Sequence, residues 1–337
     1  MSEPLRFAPL GRCPMCGAET TGERFVREDL WFGVSGRFRY CACASCGTVF
    51  QDPQVVAGDI PRLYPQTYYT HAPAPAPVPS APPDRSLGGA RDRWRGRIRA
   101  AVQGDGDALA RVLARSRALR QRAYFGLTDE LIPRPGDRRA LEVGCGAGDV
   151  LALLARAGWP EVEGLDFDAA AAARARERSG RPVRVAPFPE EDLPAGAFDL
   201  VVLIHVFEHL PEPRAALARL RDLLAPRGRA AVIGPNPAAL GARVFDSFWV
   251  GWDPPRHLAL PPIAALAAAA DGLGLRVASA RTRTRFAEDF TLSRAWRAGR
   301  PAGPVGWRDR LWRALGATLA TAGAGMGEEM VVVLERA

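Results

Sequence analysis

The stretch ALEVGCGAG, from Ala140 to Gly148, decides the fold class of this chain. Its first residues read as a buried strand. Three glycines, Gly144, Gly146 and Gly148, then allow a tight turn that brings the backbone close to a ligand before a helix begins. Such corners occur in nicotinamide, flavin and S-adenosylmethionine sites, and a tight turn without a ligand is the alternative. The neighbouring segments choose between these interpretations.

Two later strands narrow the choice. The run GLDFD ends a strand at Asp166, where a carboxylate can accept both hydroxyls of a ribose. The glycines are spaced as GxGxG, whereas the dinucleotide fingerprint is GxGxxG. A third apolar strand, Phe198 to Ile204, ends in the polar run HVFEH, and a helix starting at Pro213 follows it. Strands and helices therefore alternate, which is typical of a parallel α/β sheet.

The intervening residues carry ordinary helix and strand signals. Two helices are expected to end at Gly158 and Gly180, because a left-handed residue commonly terminates a helix. The remaining predicted elements are helices over Asp149–Ala157 and Asp168–Ser179, strands over Pro182–Ala186, Gly228–Gly234 and Leu275–Thr284, a helix over Pro261–Leu273 and a last strand over Glu329–Leu334.

These three motifs, in this order, resemble the class I S-adenosylmethionine-dependent methyltransferases, especially the branch near the ubiquinone-pathway O-methyltransferases. The resemblance implies a Rossmann-like seven-stranded α/β domain, S-adenosylmethionine as cofactor and an antiparallel last strand. The common adenine-contacting acid after the third strand is missing here, so only Phe188 is carried over at that place. The cofactor-binding residues that the resemblance implies are Glu142, Gly144, Gly146, Gly148, Asp166, Phe188 and His205.

Two cysteine pairs, CPMCG and CACASCG, precede this domain. Each CxxCG knuckle offers two thiolates from one tight turn, and a structural zinc ion takes four such ligands in a tetrahedron. The predicted ligands are Cys13, Cys16, Cys43 and Cys46, with Cys41 as a spare; free thiols or a disulfide pair are the alternative. The intervening residues alternate as in the short strands of a zinc ribbon.

Composition divides the chain into segments. A zinc-ribbon-like module is predicted over 1–71, a Pro/Ala linker over 72–84, a basic helical segment over 85–135 and the methyltransferase domain over 136–337. The order of ribbon, tyrosine-rich stretch and methyltransferase domain resembles bacterial enzymes that modify sugars, glycans or natural products, including deoxysugar C-methyltransferases. The tyrosine-rich stretch from Leu63 to His71 either packs on the ribbon or lines an acceptor pocket.

Charge and hydropathy restrict the function classes. The 337 residues carry a net charge of +8, and all 45 basic residues are arginine, which is typical of a GC-rich genome. Because no apolar run reaches about 18 residues and no signal peptide begins the chain, a cytoplasmic protein is expected. The arginine-rich helices either pack on the sheet, cover the acceptor or contact anionic lipid.

Histidines supply the candidate bases. His257, in FWVGWDPPRHLALP, is the preferred base, and His205 is the second predicted catalytic residue. The tryptophans of this segment are suited to stacking on a sugar or an aromatic ring. His205, Glu208 and His209 also spell HxxEH, but that protease motif requires a helix, and this one follows a strand.

The predicted function is methyl transfer to a small molecule or glycan, on oxygen rather than carbon, by a monomer or homodimer. An RNA methyltransferase that grips phosphates with its zinc module and arginines is the alternative, although nucleic acid is not the expected partner. A fold that binds the cofactor without catalysis is a third interpretation. The amphipathic stretch from Trp307 to Leu319 is expected to pack in the core or a dimer, with peripheral membrane contact as the alternative.

Overall fold

The computed structural model describes residues 3–19, 22–65, 68, 85–124 and 127–337, with side chains of residues 85–92 left aside. The Pro/Ala linker and His71 lie outside the described residues. The chain forms two compact units. The first contains Met1–Tyr68, Leu203–Asp222 and Ala230–Ala337, and the second contains Tyr69–Val202 and Leu223–Arg229.

The elements follow in chain order. The N-terminal strands are β1 (Phe7–Ala8), β2 (Glu23–Arg27), β3 (Phe38–Ala42), β4 (Val49–Gln51) and β5 (Gln54–Val55). The next elements are α1 (Arg85–Val102), α2 (Ala108–Leu113), α3 (Arg117–Ala123), β6 (Arg139–Val143), α4 (Asp149–Ala157), β7 (Glu161–Asp166), α5 (Ala169–Ser179), β8 (Val183–Val185) and β9 (Phe198–Ile204). The last are α6 (Pro213–Leu223), β10 (Leu224–Pro235), α7 (Leu240–Phe245), β11 (Ala259–Leu260), α8 (Ile263–Asp271), β12 (Leu275–Arg283), α9 (Glu288–Arg297), α10 (Trp307–Thr321) and β13 (Glu329–Arg336). Short 3-10 helices cover Ala57–Leu63, Asp129–Leu131, Phe207–His209, Asp246–Phe248 and Val250–Trp252.

A seven-stranded sheet in the order β12-β13-β10-β9-β6-β7-β8 confirms the predicted fold class. β6 pairs in parallel with β7, and β7 with β8. β13 pairs antiparallel with β12, as the last strand was expected to do. The middle strands are apolar and buried, as strands of a sheet with two covered faces must be.

The two helices next to the glycine turn begin and end at the residues that the sequence marks. Gly148 and Gly158 flank α4 with φ of 81° and 102°, values that favour glycine. The Asp168 carboxylate caps α5 by accepting from the Ala171 N–H at 2.6 Å, and Gly180 ends that helix in the left-handed conformation. These caps fix where α4 ends before β7 and where α5 begins after it.

The N-terminal strands form a small antiparallel sheet in the order β11-β4-β3-β2, which confirms the strands predicted between the knuckles. Its fourth strand, β11, comes from the C-terminal part of the chain, and Ala259 pairs with Phe50. An apolar core lies against this sheet, and Phe25 stacks on Tyr40 with ring centroids 4.9 Å apart. The ribbon strands and the C-terminal segment thus share one core.

Two helices leave apolar side chains uncovered. In α2, Leu109 and Val112 are exposed, and in α10 Trp307, Leu311 and Leu315 form an exposed row. This row is not buried in the core of the described chain. Among the described residues, no helix is both long and apolar enough to cross a membrane.

Candidate functional site

The predicted cofactor turn lies in the second unit and is held by the strand beside it. The Gly144 N–H donates to the Leu165 carbonyl at 2.7 Å, and the Gly146 N–H donates to Asp166 Oδ2 at 2.8 Å. The other oxygen of Asp166 accepts from the Asp168 N–H at 2.9 Å. A carboxylate has about four acceptor positions, so Asp166 can fix the turn and still accept from a ligand.

Glu142 is the second acid of this turn. Its side chain is buried, and its Oε2 has no hydrogen-bond partner among the described residues. Burial, followed by the charges of Asp166 and Asp149, raises the pKa of Glu142 well above its usual range. An unpartnered buried carboxyl oxygen is costly, so this atom is a natural acceptor for a ligand N–H or O–H. Phe188, also buried, follows β8, and its adenine contact stays a prediction.

The four predicted thiol ligands converge in the first unit. Cys13 Sγ lies 3.6 Å from Cys46 Sγ, and Cys16 Sγ lies 3.5 Å from Cys43 Sγ. All four sulfurs lie within 4.8 Å of one another. A tetrahedral zinc site with Zn–S distances of about 2.3 Å places its sulfurs about 3.8 Å apart. The thiol cluster therefore fits a zinc ion, and the spare Cys41 lies in β3 outside it.

His205 is held as an ion pair. Its Nε2 lies 2.8 Å from Glu329 Oε1, and its Nδ1 lies 3.3 Å from Glu208 Oε1. Burial opposes protonation, but these two carboxylates outweigh it and raise the pKa of His205 to about 10. The ring is therefore protonated near neutral pH, which suits an electrostatic role and not that of a proton acceptor.

His257 and His209 lie together in the same unit. Their ring centroids are 4.6 Å apart, with the rings nearly perpendicular. His257 Nδ1 contacts the Gly251 carbonyl at 2.8 Å, and His209 Nδ1 contacts the Arg256 carbonyl and the Tyr64 hydroxyl, each at 3.0 Å. Burial lowers the pKa of both histidines to about 4. Both rings are therefore neutral near pH 7.

The segment around His257 is fixed by a buried arginine. The Arg256 guanidinium is fully buried and pairs with Asp29 at 2.8 Å and with Asp253 at 2.6 Å. Burial raises the pKa of Asp253, whereas Arg256 outweighs burial at Asp29 and lowers its pKa. The two tryptophans of this segment, Trp249 and Trp252, are buried in the core, so they do not offer a stacking surface.

Sequence reasoning missed several partners of these residues. Asp29 and Arg256 are 227 positions apart, and Glu329 lies 124 positions from His205. Tyr64 belongs to the tyrosine-rich stretch, and its hydroxyl contacts the His209 ring at 3.0 Å. No local pattern signals such pairs, because each depends on strands that meet only in the folded chain.

Known proteins resemble the part of the chain that carries the cofactor turn. A family model described as a methyltransferase domain matches residues 116–280. Residues 116–280 are a methyltransferase domain. An uncharacterized methyltransferase of Mycobacterium tuberculosis is 38% identical over 113 residues, which are 33% of this chain and 56% of the relative. The seven-stranded sheet is that of a class I methyltransferase.

Two further relatives have more specific names. A ubiquinone biosynthesis O-methyltransferase of Bordetella avium is 34% identical over 97 residues, 27% of this chain and 40% of the relative. A nocamycin O-methyltransferase of Saccharothrix syringae is 38% identical over 119 residues, 33% of this chain and 42% of the relative. The chain thus spans about half the length of the curated relatives it matches.

Proposed function

We propose that this methyltransferase transfers the methyl group of S-adenosylmethionine to an oxygen of a small-molecule or glycan acceptor. The glycine turn over Asp166 carries this proposal, because it combines close backbone approach with carboxylate acceptors for a ribose. The unpartnered Oε2 of Glu142 adds an acceptor at the same turn. Two relatives named O-methyltransferases support oxygen as the acceptor atom.

Methyl transfer from a sulfonium needs little covalent assistance, so positioning supplies most of the rate. The acceptor hydroxyl must nevertheless lose its proton. Of the two histidines predicted to be catalytic, His257 is neutral and its Nε2 lies 3.9 Å from Glu208 and from Asp253, beyond hydrogen-bond distance, whereas His205 is paired with two carboxylates. His257 is therefore the residue proposed to act on the acceptor hydroxyl.

The thiol cluster is proposed to hold a structural zinc ion. Its four sulfurs fit the tetrahedron of such a site, and each knuckle is closed by a backbone bond, from the Gly17 N–H to Cys13 and from the Gly47 N–H to Cys43. Zinc would stabilise the ribbon strands that pack on the core of the first unit.

Asp166→Ala tests the cofactor site. We expect this change to weaken S-adenosylmethionine binding at least tenfold in calorimetric titration, because the turn loses its ribose acceptor and the bond to the Gly146 N–H. Glu177→Ala, which removes an exposed carboxylate from α5, is the control and should leave the affinity unchanged. An unaltered affinity of the Asp166 variant would refute the ribose role.

His257→Ala tests the acceptor side. We expect cofactor affinity to be retained and turnover to fall more than tenfold, since the acceptor proton would lose its route. Turnover is measured with methyl-labelled S-adenosylmethionine and extract of the source organism, separated into solvent-soluble, glycan and RNA pools. Label in the first two pools supports the proposal, and label confined to RNA overturns the acceptor class.

A further inference from the structure

A second cluster of metal-ligand side chains lies apart from the thiols. Glu208, His209 and His257 each place one ligand atom within 4.8 Å of the other two. Asp253 lies beside them, with its Oδ2 3.9 Å from His257 Nε2. We call these four residues the imidazole–carboxylate cluster. All four belong to the first unit.

The two imidazoles are oriented as metal ligands commonly are. A backbone carbonyl can only accept, so the contacts with Gly251 and Arg256 place the proton of each ring on Nδ1. The lone pair of each ring then lies on Nε2. Metal-ligating histidines typically donate their other ring N–H to a carbonyl or a carboxylate in this way. Tautomer and orientation are thus set by the backbone.

Glu208 adds a buried carboxylate oxygen. Its side chain is 3% exposed, and its Oε1, which forms the ion pair with the His205 ring at 3.3 Å, has no aligned hydrogen-bond donor among the described residues. The same oxygen lies 3.9 Å from His257 Nε2, which is too long for a hydrogen bond. Two ligands of one tetrahedral ion lie about 3.4 Å apart. An ion between these atoms would need only a small contraction of the cluster.

The charges around the cluster leave room for a cation. The carboxylates are Asp29, Glu208, Asp253 and Glu329, and the cations paired with them are His205, Arg256 and Arg283. Negative charge is therefore in excess before any ion binds. His209 is half-buried, whereas Glu208 and His257 are buried.

We propose that Glu208, His209 and His257 bind one divalent first-row transition ion, such as Zn²⁺ or Fe²⁺, with Asp253 as an additional ligand. Two imidazoles and a carboxylate suit such ions better than Mg²⁺, which prefers oxygen ligands. This inference rests on the proposed function and changes one step of it: with its Nε2 bound to the ion, His257 would hold the ion and would not itself accept the proton of the acceptor hydroxyl.

The ion gives the acceptor hydroxyl a way to ionise. A hydroxyl oxygen bound to a divalent ion releases its proton to solvent water near neutral pH. The resulting alkoxide forms the O–CH₃ bond as the S–CH₃ bond breaks, and the electron pair of that bond stays on sulfur in neutral S-adenosylhomocysteine. No oxidant or reductant is needed.

Cobalt loading of the full chain tests the site. The protein is stripped with a chelator, reloaded with Co²⁺ under reducing conditions, and measured by elemental analysis and absorption spectroscopy. We expect two ions per chain, of which only the one at the thiols gives a thiolate-to-cobalt charge-transfer band. His257→Ala and Glu208→Gln should each keep that band and lose the other ion.

The double variant Cys13→Ser/Cys16→Ser, which removes one whole knuckle, is the matched control. It should lose most of the charge-transfer band and keep one ion, which decides the question even if the cluster variants fail to fold. A wild-type chain that binds a single, thiolate-bound ion would overturn the proposal. Cofactor titration of the same samples separates the outcomes: metal binding without S-adenosylmethionine binding refutes the proposed function and leaves the metal site standing.

Discussion

Gly148→Ala perturbs the cofactor turn at its tightest point. A Cβ on Gly148 would lie 2.7 Å from Ala175 Cα, a distance that real Cβ atoms essentially never show, and 3.0 Å from Ala175 Cβ, which is a tight contact. The residue also has a φ of 81°, in the left-handed region that favours glycine. Relief requires α4 or α5 to move, because the obstructing atoms include backbone.

Two costs add at this position. A side chain in the left-handed conformation costs about 1–2 kcal/mol, and overpacking costs about 1–3 kcal/mol more, so we expect the free energy of unfolding to fall by about 2–5 kcal/mol. Gly180→Ala is the matched control, since Gly180 has a φ of 65° at the end of α5 and nothing within 4 Å of its Cβ position. Its free energy of unfolding should fall only by the cost of the left-handed conformation, about 1–2 kcal/mol.

Urea denaturation gives both free energies, and calorimetric titration gives the cofactor affinity of each variant. We expect Gly148→Ala to weaken S-adenosylmethionine binding, because the displaced helix carries the turn with it, and Gly180→Ala to leave it unchanged. Equal losses of stability in the two variants, with the same cofactor affinity, would show that the contact with Ala175 does not constrain the turn.

Two further predictions concern buried charge. Arg256→Met leaves Asp29 and Asp253 without their cation, and we expect a loss of about 3–5 kcal/mol in urea denaturation. Arg97→Met removes an exposed pair and should cost at most about 1 kcal/mol; similar losses would contradict the reasoning. Burial raises the pKa of Glu328 to about 7 from its usual 4.5. The folded state then holds this proton more tightly than the unfolded state, so the free energy of unfolding should fall as pH rises from 4.5 to 7. Glu328→Gln should flatten that slope, measured by denaturation at several pH values, and an unchanged slope would exclude Glu328 as its source.

Sequence predicted the regular elements well where local signals determine them. The strand Phe198–Ile204 and the helix Asp149–Ala157 have the predicted bounds, because an apolar run and two flanking glycines define them. The fifth strand is longer than predicted and covers Leu224–Pro235, since pairing in the sheet extends it past the apolar run. Boundaries of that kind depend on neighbours that are distant in sequence.

The candidate site was predictable only where local sequence signals define it. The CxxC spacing identifies the thiol cluster, since both knuckles are local turns. The sequence does not reveal that His209 lies beside His257. The two rings meet only because the segment between β10 and β11 folds back onto the residues that follow β9. Trp249 and Trp252 were expected to stack on an acceptor, but composition alone does not distinguish a ligand-facing tryptophan from a core one.

The pairing of β4 with β11 has a consequence for synthesis on the ribosome. Asp29 meets Arg256 across 227 positions, so at about 5–20 residues per second the ribbon waits about 10–45 s for its partner. During that interval Phe50 and Tyr40 lack the C-terminal residues that bury them. The two knuckles, 27 positions apart at Cys16 and Cys43, can close long before. Early metal binding would thus hold the two knuckles of the nascent chain together until β11 and Arg256 leave the ribosome.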